Sequence, residues 1–494
     1  MIEAQLPVLQ ILIPLLAAPM CVLLRHPVAT WALATGVSWV CLAIAITLLQ
    51  QVLASGEIIY EIGGWAAPWG IEYRIDLLGA WVLVIVTAIG AVVMPYAKLS
   101  AEKEIDRDRL YIFYAMMLLC ETGLLGITVT GDAFNLFVFL EISSLSTYVL
   151  ISMGSDRRGL TAAYRYLIMG TIGATFYIIG VGLMYMMTGS LNIADLARLV
   201  PEVSQTRTIE AALAFLTVGL AIKLALFPLH FWLPNAYAFA PSVVTVFLAA
   251  TATKVAVYAF VRIIFTVFGA INILHDVAIH DVLATLAICA MLAGSAVAIY
   301  QDNIKRMLAY SSLAQIGYMI LGLSLNSDAG VSAGLVHLFN HAMMKGALFM
   351  VMGCVVYKIG SAKLQDMAGL GKRMPLTMAA FVLAGLSLIG VPLTVGFVSK
   401  WALIQAVLEK DGWWPIAGLI VISSLMAVIY VWRVVEVAYF QTPANGNLEK
   451  DEAPMSMVLP MYVLVGASIY FGIDGTTALE IAGDAARALA GGHE

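Results

Sequence analysis

Leu216-Thr217-Val218-Gly219-Leu220-Ala221-Ile222-Lys223-Leu224-Ala225-Leu226 and Leu393-Thr394-Val395-Gly396-Phe397-Val398-Ser399-Lys400-Trp401-Ala402-Leu403 agree at seven of eleven positions, the lysine included. Apolar stretches match by chance more often than mixed ones, yet a second pair follows in the same order. Gly173-Ala174-x-Phe176-x-x-x-Gly180 recurs as Gly346-Ala347-x-Phe349-x-x-x-Gly353, offset by 173 residues against 177 for the lysine stretches. Five apolar runs separate the members of each pair. An odd number of membrane passes inverts the second copy, the inverted-repeat plan of many transporters. The spacing therefore predicts an all-α polytopic membrane protein built on two inverted five-helix repeats.

Composition agrees. A chain of 494 residues that is 62% hydrophobic and 12% charged, with mean hydropathy +0.94, has too few polar side chains to cover soluble domains. The net charge of −5 argues against a nucleic-acid partner, which calls for a basic face. Cys21, Cys41, Cys120, Cys289 and Cys354 lie inside apolar runs without C-x-x-C spacing, so they read as small hydrophobes and not as a disulfide or metal framework.

Crossing a hydrocarbon core of about 30 Å takes about 20 helical residues. Fourteen runs qualify, near 6–24, 28–53, 76–97, 110–130, 133–153, 161–188, 209–233, 240–267, 280–300, 303–325, 329–357, 374–407, 413–441 and 455–473. The first lacks a basic start and a cleavage site, so it reads as a retained helix. Spans 4–8 and 9–13 form the two repeats. The implied divisions are 1–109, 110–267, 280–441 and 442–494, with a tail after Asp474 too short for another domain. Alternate connections hold fourteen basic residues, Arg25, Lys103 and Lys372 among them, against five on the other side, Arg198 among them. Basic connections stay cytoplasmic, so both termini are expected outside a cell inner membrane.

Both lysine-bearing spans are interrupted: Pro228 and Pro234 fall in span 7, and Gly390, Pro392 and Gly396 in span 12. Each of Pro228 and Pro392 frees the carbonyl four residues earlier, that of Leu224 or Leu388. Such groups need water or a polar partner in lipid, so the two breaks mark where a hydrated path enters.

Arg165, Lys223, Lys254, Arg262, Lys345, Lys400 and Arg433 lie within predicted spans, as do Glu121, Glu141, Glu436, His230, His337 and His341. A charge near a helix centre costs about 2.5–3.5 kcal/mol even on a lenient scale. Arg165, Arg262, Arg433 and Glu436 sit near span ends and read as snorkelling side chains. Glu121 is undecided, with pairing to a neighbour as its plain reading. Glu141 follows Asp132, an expected N-cap, by nine residues, which puts it roughly 13 Å along its helix. Burial weakens a lone lysine's hold on its proton and a carboxylate restores it, so a Glu141–Lys223 pair that opens and closes is a proton-affinity switch. The alternative is a static buried ion pair. His337, His341 and Lys345 follow at i, i+4 and i+8 on one helix face, about 6 Å apart. They read as a proton relay, with plain hydrogen bonding in the bundle as the alternative. A metal is disfavoured, because no carboxylate or thiol is nearby in sequence and Lys345 would repel a dication. No cofactor is expected.

Phe134-Asn135-Leu136-Phe137-Val138-Phe139-Leu140-Glu141, Phe227-Pro228-Leu229-His230-Phe231-Trp232-Leu233-Pro234-Asn235 and Asn303-Ile304-Lys305-Arg306-Met307-Leu308-Ala309-Tyr310-Ser311-Ser312 resemble the antiporter-like subunits shared by respiratory complex I and Mrp-type sodium/proton antiporters. The likeness covers nearly the whole chain and is strongest to the D-subunit branch of Mrp antiporters. It implies a span 5/span 7 pair of Glu141 and Lys223, a central Lys254, a His337 and His341 relay and a terminal Lys400. Several complex I relatives carry glutamate at that last position. Asn235 stands where many relatives have aspartate, and, with so short a stretch after the fourteenth run, no counterpart of the long lateral helix of the largest complex I subunit is expected.

The resemblance implies a subunit that moves protons along a buried axis and exchanges them for Na+ or another monovalent cation, with other membrane subunits as partners. The alternative is a proton-pumping subunit of a complex I-type or hydrogenase-type redox complex. A third reading, a structural scaffold, requires the buried charges to be static. No G-x-x-x-x-G-K-[ST] fingerprint occurs, so hydrolysis of ATP by this chain is not expected.

Overall fold

Inside hydrocarbon an open chain satisfies its own backbone only as a helix, and the computed structural model, which describes residues 3–269, 279–443 and 448–491, is almost entirely helical. The first helices are α1 (Leu6–Leu24), α2 (Pro27–Ser55), α3 (Leu77–Glu104), α4 (Leu110–Val129), α5 (Ala133–Ser152), α6 (Arg158–Thr188) and α7 (Ile193–Leu199). Next come α8 (Arg207–Lys223), α9 (Leu233–Phe239), α10 (Ser242–Ala250), α11 (Ala252–Val261), α12 (Ile279–Ile299), α13 (Ile304–Ser324) and α14 (Asp328–Ile359). The chain ends with α15 (Leu370–Arg373), α16 (Pro375–Ile389), α17 (Val395–Leu408), α18 (Trp414–Phe440), α19 (Met455–Ile473) and α20 (Thr476–Gly491). Among the described residues twelve helical stretches are long and apolar enough to cross a membrane, with Ser242–Val267 counted as one. The two remaining expected passes are the interrupted pairs α8/α9 and α16/α17.

Span 7, expected over 209–233, stops at Lys223; residues 224–232 are turns, and helix resumes to Phe239. Pro228 sits in the turns. Pro234 does not break a helix but starts one, because a first-turn proline gives up no hydrogen bond. Span 8, expected from 240, begins at Ser242, kinks at Thr251 and ends in a π-helical turn, Arg262–Val267. Thr251 Oγ1 donates to the Phe247 carbonyl at 2.6 Å, the back-bonding that bends helices. The segment after Asp474 forms one amphipathic helix, α20, whose buried Ala478, Ala482, Ala485 and Ala486 pack it against α14.

Each break holds a non-glycine residue in the left-handed region, Ala225 at φ 60° and Leu393 at φ 69°, a strain of about 1–3 kcal/mol each. In the second break Gly390 ends α16 at φ 94°, a conformation glycine adopts without steric cost. Gly396 lies so close to the end of α16 that a Cβ there would overlap the Ser387 carbonyl oxygen. Gly396→Ala should therefore force the half-helices apart and destabilise the fold by about 1–3 kcal/mol. A lower melting temperature of the detergent-solubilised protein is the expected readout; an unchanged one would show that the crossing has room.

The connections sort onto two faces. On the basic one, Ser155 N donates to the Glu104 carbonyl at 3.1 Å and Asn303 bridges Lys363. On the other, a hairpin of β1 (Ile58–Glu61) and β2 (Glu72–Ile75) bridges to Thr130, and Asp132 bridges to Asn192. Helices α3, α4, α10, α11, α13 and α14 are mostly buried, whereas α1, α2, α6, α18 and α19 bury one side and show Leu, Ile, Trp and Tyr on the other. Lys254, His337, His341 and Lys345 all lie on the enclosed group.

Candidate functional site

Asp132 caps α5, accepting from Asn135 N at 2.6 Å, and so sets the depth of Glu141. Helix α8 ends at Lys223, whose Nζ lies 3.1 Å from Glu141 Oε1 and 2.7 Å from Ser144 Oγ. The lysine side chain is 4% exposed and the glutamate 23%, so the pair is sealed at the lysine and open at the carboxylate. Among the described residues this is the one ion pair that Lys223, Lys254, Lys345 or Lys400 makes. The break beyond Lys223 is held by Trp232, whose indole donates to the Ile222 carbonyl at 2.9 Å and stacks on Tyr166 at 3.8 Å. His230 lies buried in the same break between the rings of Phe227 and Phe231.

Inward from Lys223 is a cavity of about 30 Å³ lined by Ser143, Ser144, Thr147, Tyr166, Lys223 and Thr253, with apolar side chains between them. A water needs about 10–15 Å³ of such space and two to four polar partners, so the cavity has room for about two. On its far wall Thr253 Oγ1 accepts from Lys254 Nζ at 3.3 Å, and the same ammonium donates to the Ala249 carbonyl just before the Thr251 kink. A hydroxyl-lined step thus separates the two lysines.

On α14 the three predicted residues divide their contacts. The His337 and His341 rings lie nearly parallel with centroids 6.3 Å apart. His337 meets Gln315 Oε1 at 3.0 Å and Ser399 Oγ at 2.8 Å. His341 is fully buried, and neither ring nitrogen has a partner among the described residues. Lys345 turns instead toward α13, donating to the Leu308 carbonyl at 2.9 Å and to Ser311 Oγ.

Ser399 leads to Lys400, 5% exposed on α17. No acid faces it among the described residues. Its Nζ donates to the carbonyls of Leu388 and Ile389, each at 2.9 Å, and to Ser424 Oγ at 3.1 Å, with the Tyr318 ring 5.0 Å away. The Leu388 carbonyl is the one Pro392 frees. A lysine at the negative end of a helix dipole has a partial counter-charge built from backbone. Pro228 and Pro392 are both exposed on this chain's surface.

The other intramembrane charges stand apart from this set. Arg165 and Glu436 are exposed, Arg262 pairs with Asp76, and Arg433 with Asp302 at 3.5 Å. Glu121 is fully buried between α2 and α4, where Ser38 Oγ donates to it at 2.9 Å. Sequence reasoning missed Ser144, Thr253, Gln315, Ser399 and Ser424. Hydroxyls are too common in apolar helices to stand out, but Gln315 is a lone amide in such a run and was findable.

The family described as NADH:quinone oxidoreductase/Mrp antiporter, transmembrane, matches residues 130–427, which hold every residue of the set. The chain is 43% identical over 477 residues to the N subunit of the NADH-quinone oxidoreductase of Desulforudis audaxviator, covering 93% of this chain and 94% of that protein. It is 31% identical over 469 residues to the D subunit of the Na(+)/H(+) antiporter of Alkalihalophilus pseudofirmus, covering 94% and 93%. In three dimensions it superposes on a chain of the Mrp complex from Dietzia sp. DQ12-45-1b with a TM-score of 0.91 at 25% identity, covering 100% of this chain and 98% of that one.

Proposed function

From the premise that the chain belongs to the NADH:quinone oxidoreductase/Mrp antiporter family, we propose that it is the proton-translocating subunit of a multisubunit membrane antiporter, exchanging protons for Na+ or another monovalent cation. The proton moves along Glu141, Lys223, Lys254, His337, His341, Lys345 and Lys400. The supporting observation is the small cavity that Lys223 shares with Ser143, Ser144, Thr147 and Thr253, the last a hydrogen-bond partner of Lys254. Water held there would link Lys223 to the Thr253 hydroxyl that Lys254 binds, and opening of the Glu141–Lys223 pair changes which of the two lysines holds the proton. The relative named as the D subunit of a Na(+)/H(+) antiporter supports cation exchange. The 43% identity to a quinone oxidoreductase component supports a second reading, the same axis driven by a redox arm carried on other subunits.

Everted vesicles carrying the native complex decide between these. Collapse of a proton gradient on adding Na+ or K+, by a purified complex without visible absorbance, is expected. A coloured complex that pumps only with an electron donor would overturn the first reading for the second. The basic face is taken as cytoplasmic and both termini as outside. A cysteine beside Lys103 or Lys372 should escape an impermeant thiol reagent in intact cells, and labelling there with protection near Arg198 would reverse the orientation.

A further inference from the structure

Helix α11 carries Lys254, Tyr258 and, just past its end, Arg262 at i, i+4 and i+8, one face over two turns. The three differ in direction. Lys254 Nζ points back toward the basic face, to the Ala249 carbonyl and Thr253, as helical side chains lean toward their N-terminus. Arg262 closes the opposite end. Its guanidinium pairs with Asp76, its Nε donates to the Tyr258 hydroxyl at 2.9 Å, and that hydroxyl donates to the Thr128 carbonyl at 2.9 Å. Asp76 is fixed in turn as the N-cap of α3, accepting from Gly79 N at 2.9 Å. The cluster ties together the ends of α3, α4 and α11, and its ion pair is 13% exposed on the arginine and 25% on the aspartate.

We propose that the Asp76–Arg262–Tyr258 cluster is an electrostatic seal over Lys254, a fixed positive charge that keeps protons and cations from passing between the central lysine and the face opposite the basic one. Exchange with that face is thereby confined to the break beside Lys400. A guanidinium keeps its proton at any physiological pH and excludes cations from a narrow path. Tyr258 has its proton committed to a backbone carbonyl, so it is a plug and not a rung. Holding three helix ends together requires no charge, because apolar side chains of similar volume do that as well. Arg433, 171 residues after Arg262 and therefore near the repeat offset, pairs with Asp302 at the basic end of α18. The two arginine pairs thus sit at opposite faces of the membrane.

The inference rests on the proposed proton path, and a leak assay tests it separately. Complexes carrying Arg262→Gln, reconstituted with all subunits and without exchangeable cation, should dissipate an imposed proton gradient roughly tenfold faster than wild type. Arg262→Lys should stay tight. Equal tightness of Arg262→Gln and wild type, at equal assembly, overturns the seal whatever drives the complex. Should the glutamine variant fail to assemble, Asp76→Asn, which unties the guanidinium without removing it, must show an intermediate leak, and tightness there overturns the proposal equally. Transport that persists at near wild-type rate in Glu141→Gln would count against the path itself, so the two failures are distinguishable.

Discussion

Lys400→Ala should reduce cation-coupled proton movement by roughly a hundredfold or more, the contribution a positioned proton-transfer group makes, while the complex still assembles. The side chain bridges the two half-helices through the Leu388 and Ile389 carbonyls, so alanine removes both the proposed proton carrier and a clamp. Lys400→Arg separates these roles. Arginine keeps the positive charge and the carbonyl contacts but holds its proton too tightly to cycle, so assembly should match wild type and transport should stay low. Exchange assays on everted vesicles carrying all subunits read the outcome. Robust turnover with arginine would show that Lys400 supplies only a fixed charge to the end of α16, and the path through the Pro392 break would have to be abandoned. The proposed release route is that break, where Pro392 and Leu393 lie on the surface of this chain beside the buried lysine's carbonyl partners.

The passes, the two interruptions and the depth of Glu141 were legible because each depends on a local rule. Apolar length sets the spans, proline and glycine set the breaks, and an Asp132 N-cap starts the count to Glu141. What Lys400 binds was not legible as a partner. A search for an acid fails, since the counter-charge is the backbone of a helix end, which has no letter in the sequence. The signal was indirect: Pro392 had to free the Leu388 carbonyl, and that carbonyl had to meet something polar. In the same way Lys254 draws on the Ala249 carbonyl beside a kink that Thr251 alone does not announce. The end of the first break was misread because Pro234 has opposite meanings inside a helix and at its first turn, and only the turns at 224–232 decide which applies. The division of α14 also lay beyond periodicity. Spacing puts His337, His341 and Lys345 on one face, but whether each meets Gln315, nothing or Ser311 depends on how α13 and α17 pack.

Glu141→Gln should nearly abolish transport with little loss of assembled complex, and the geometry explains the separation. Removing one partner of a sealed ion pair costs about 3–5 kcal/mol. Here the carboxylate is 23% exposed and Ser144 Oγ remains 2.7 Å from Lys223, so water and the hydroxyl take up part of the lost contact and the cost falls below that range. The amide also keeps the size of the acid and one oxygen for the 3.1 Å hydrogen bond. It has no charge to withdraw. The proposed switch works by the difference between a closed pair, in which the carboxylate holds the ammonium's proton in place, and an open one, in which the proton leaves through the cavity toward Thr253 and Lys254. With glutamine the two states differ by one hydrogen bond from the ammonium to an uncharged amide, about 1.5–3 kcal/mol, without the ion-pair attraction that the switch uses to drive the lysine between holding and releasing. Glu141→Asp keeps the charge but draws it back by one methylene, so it should transport at an intermediate rate, whereas Glu141→Gln should stay inactive. Near wild-type exchange with glutamine, in complexes present at wild-type abundance, would mark the pair as a static bridge, and the driving step would have to lie nearer Lys254 and the two histidines.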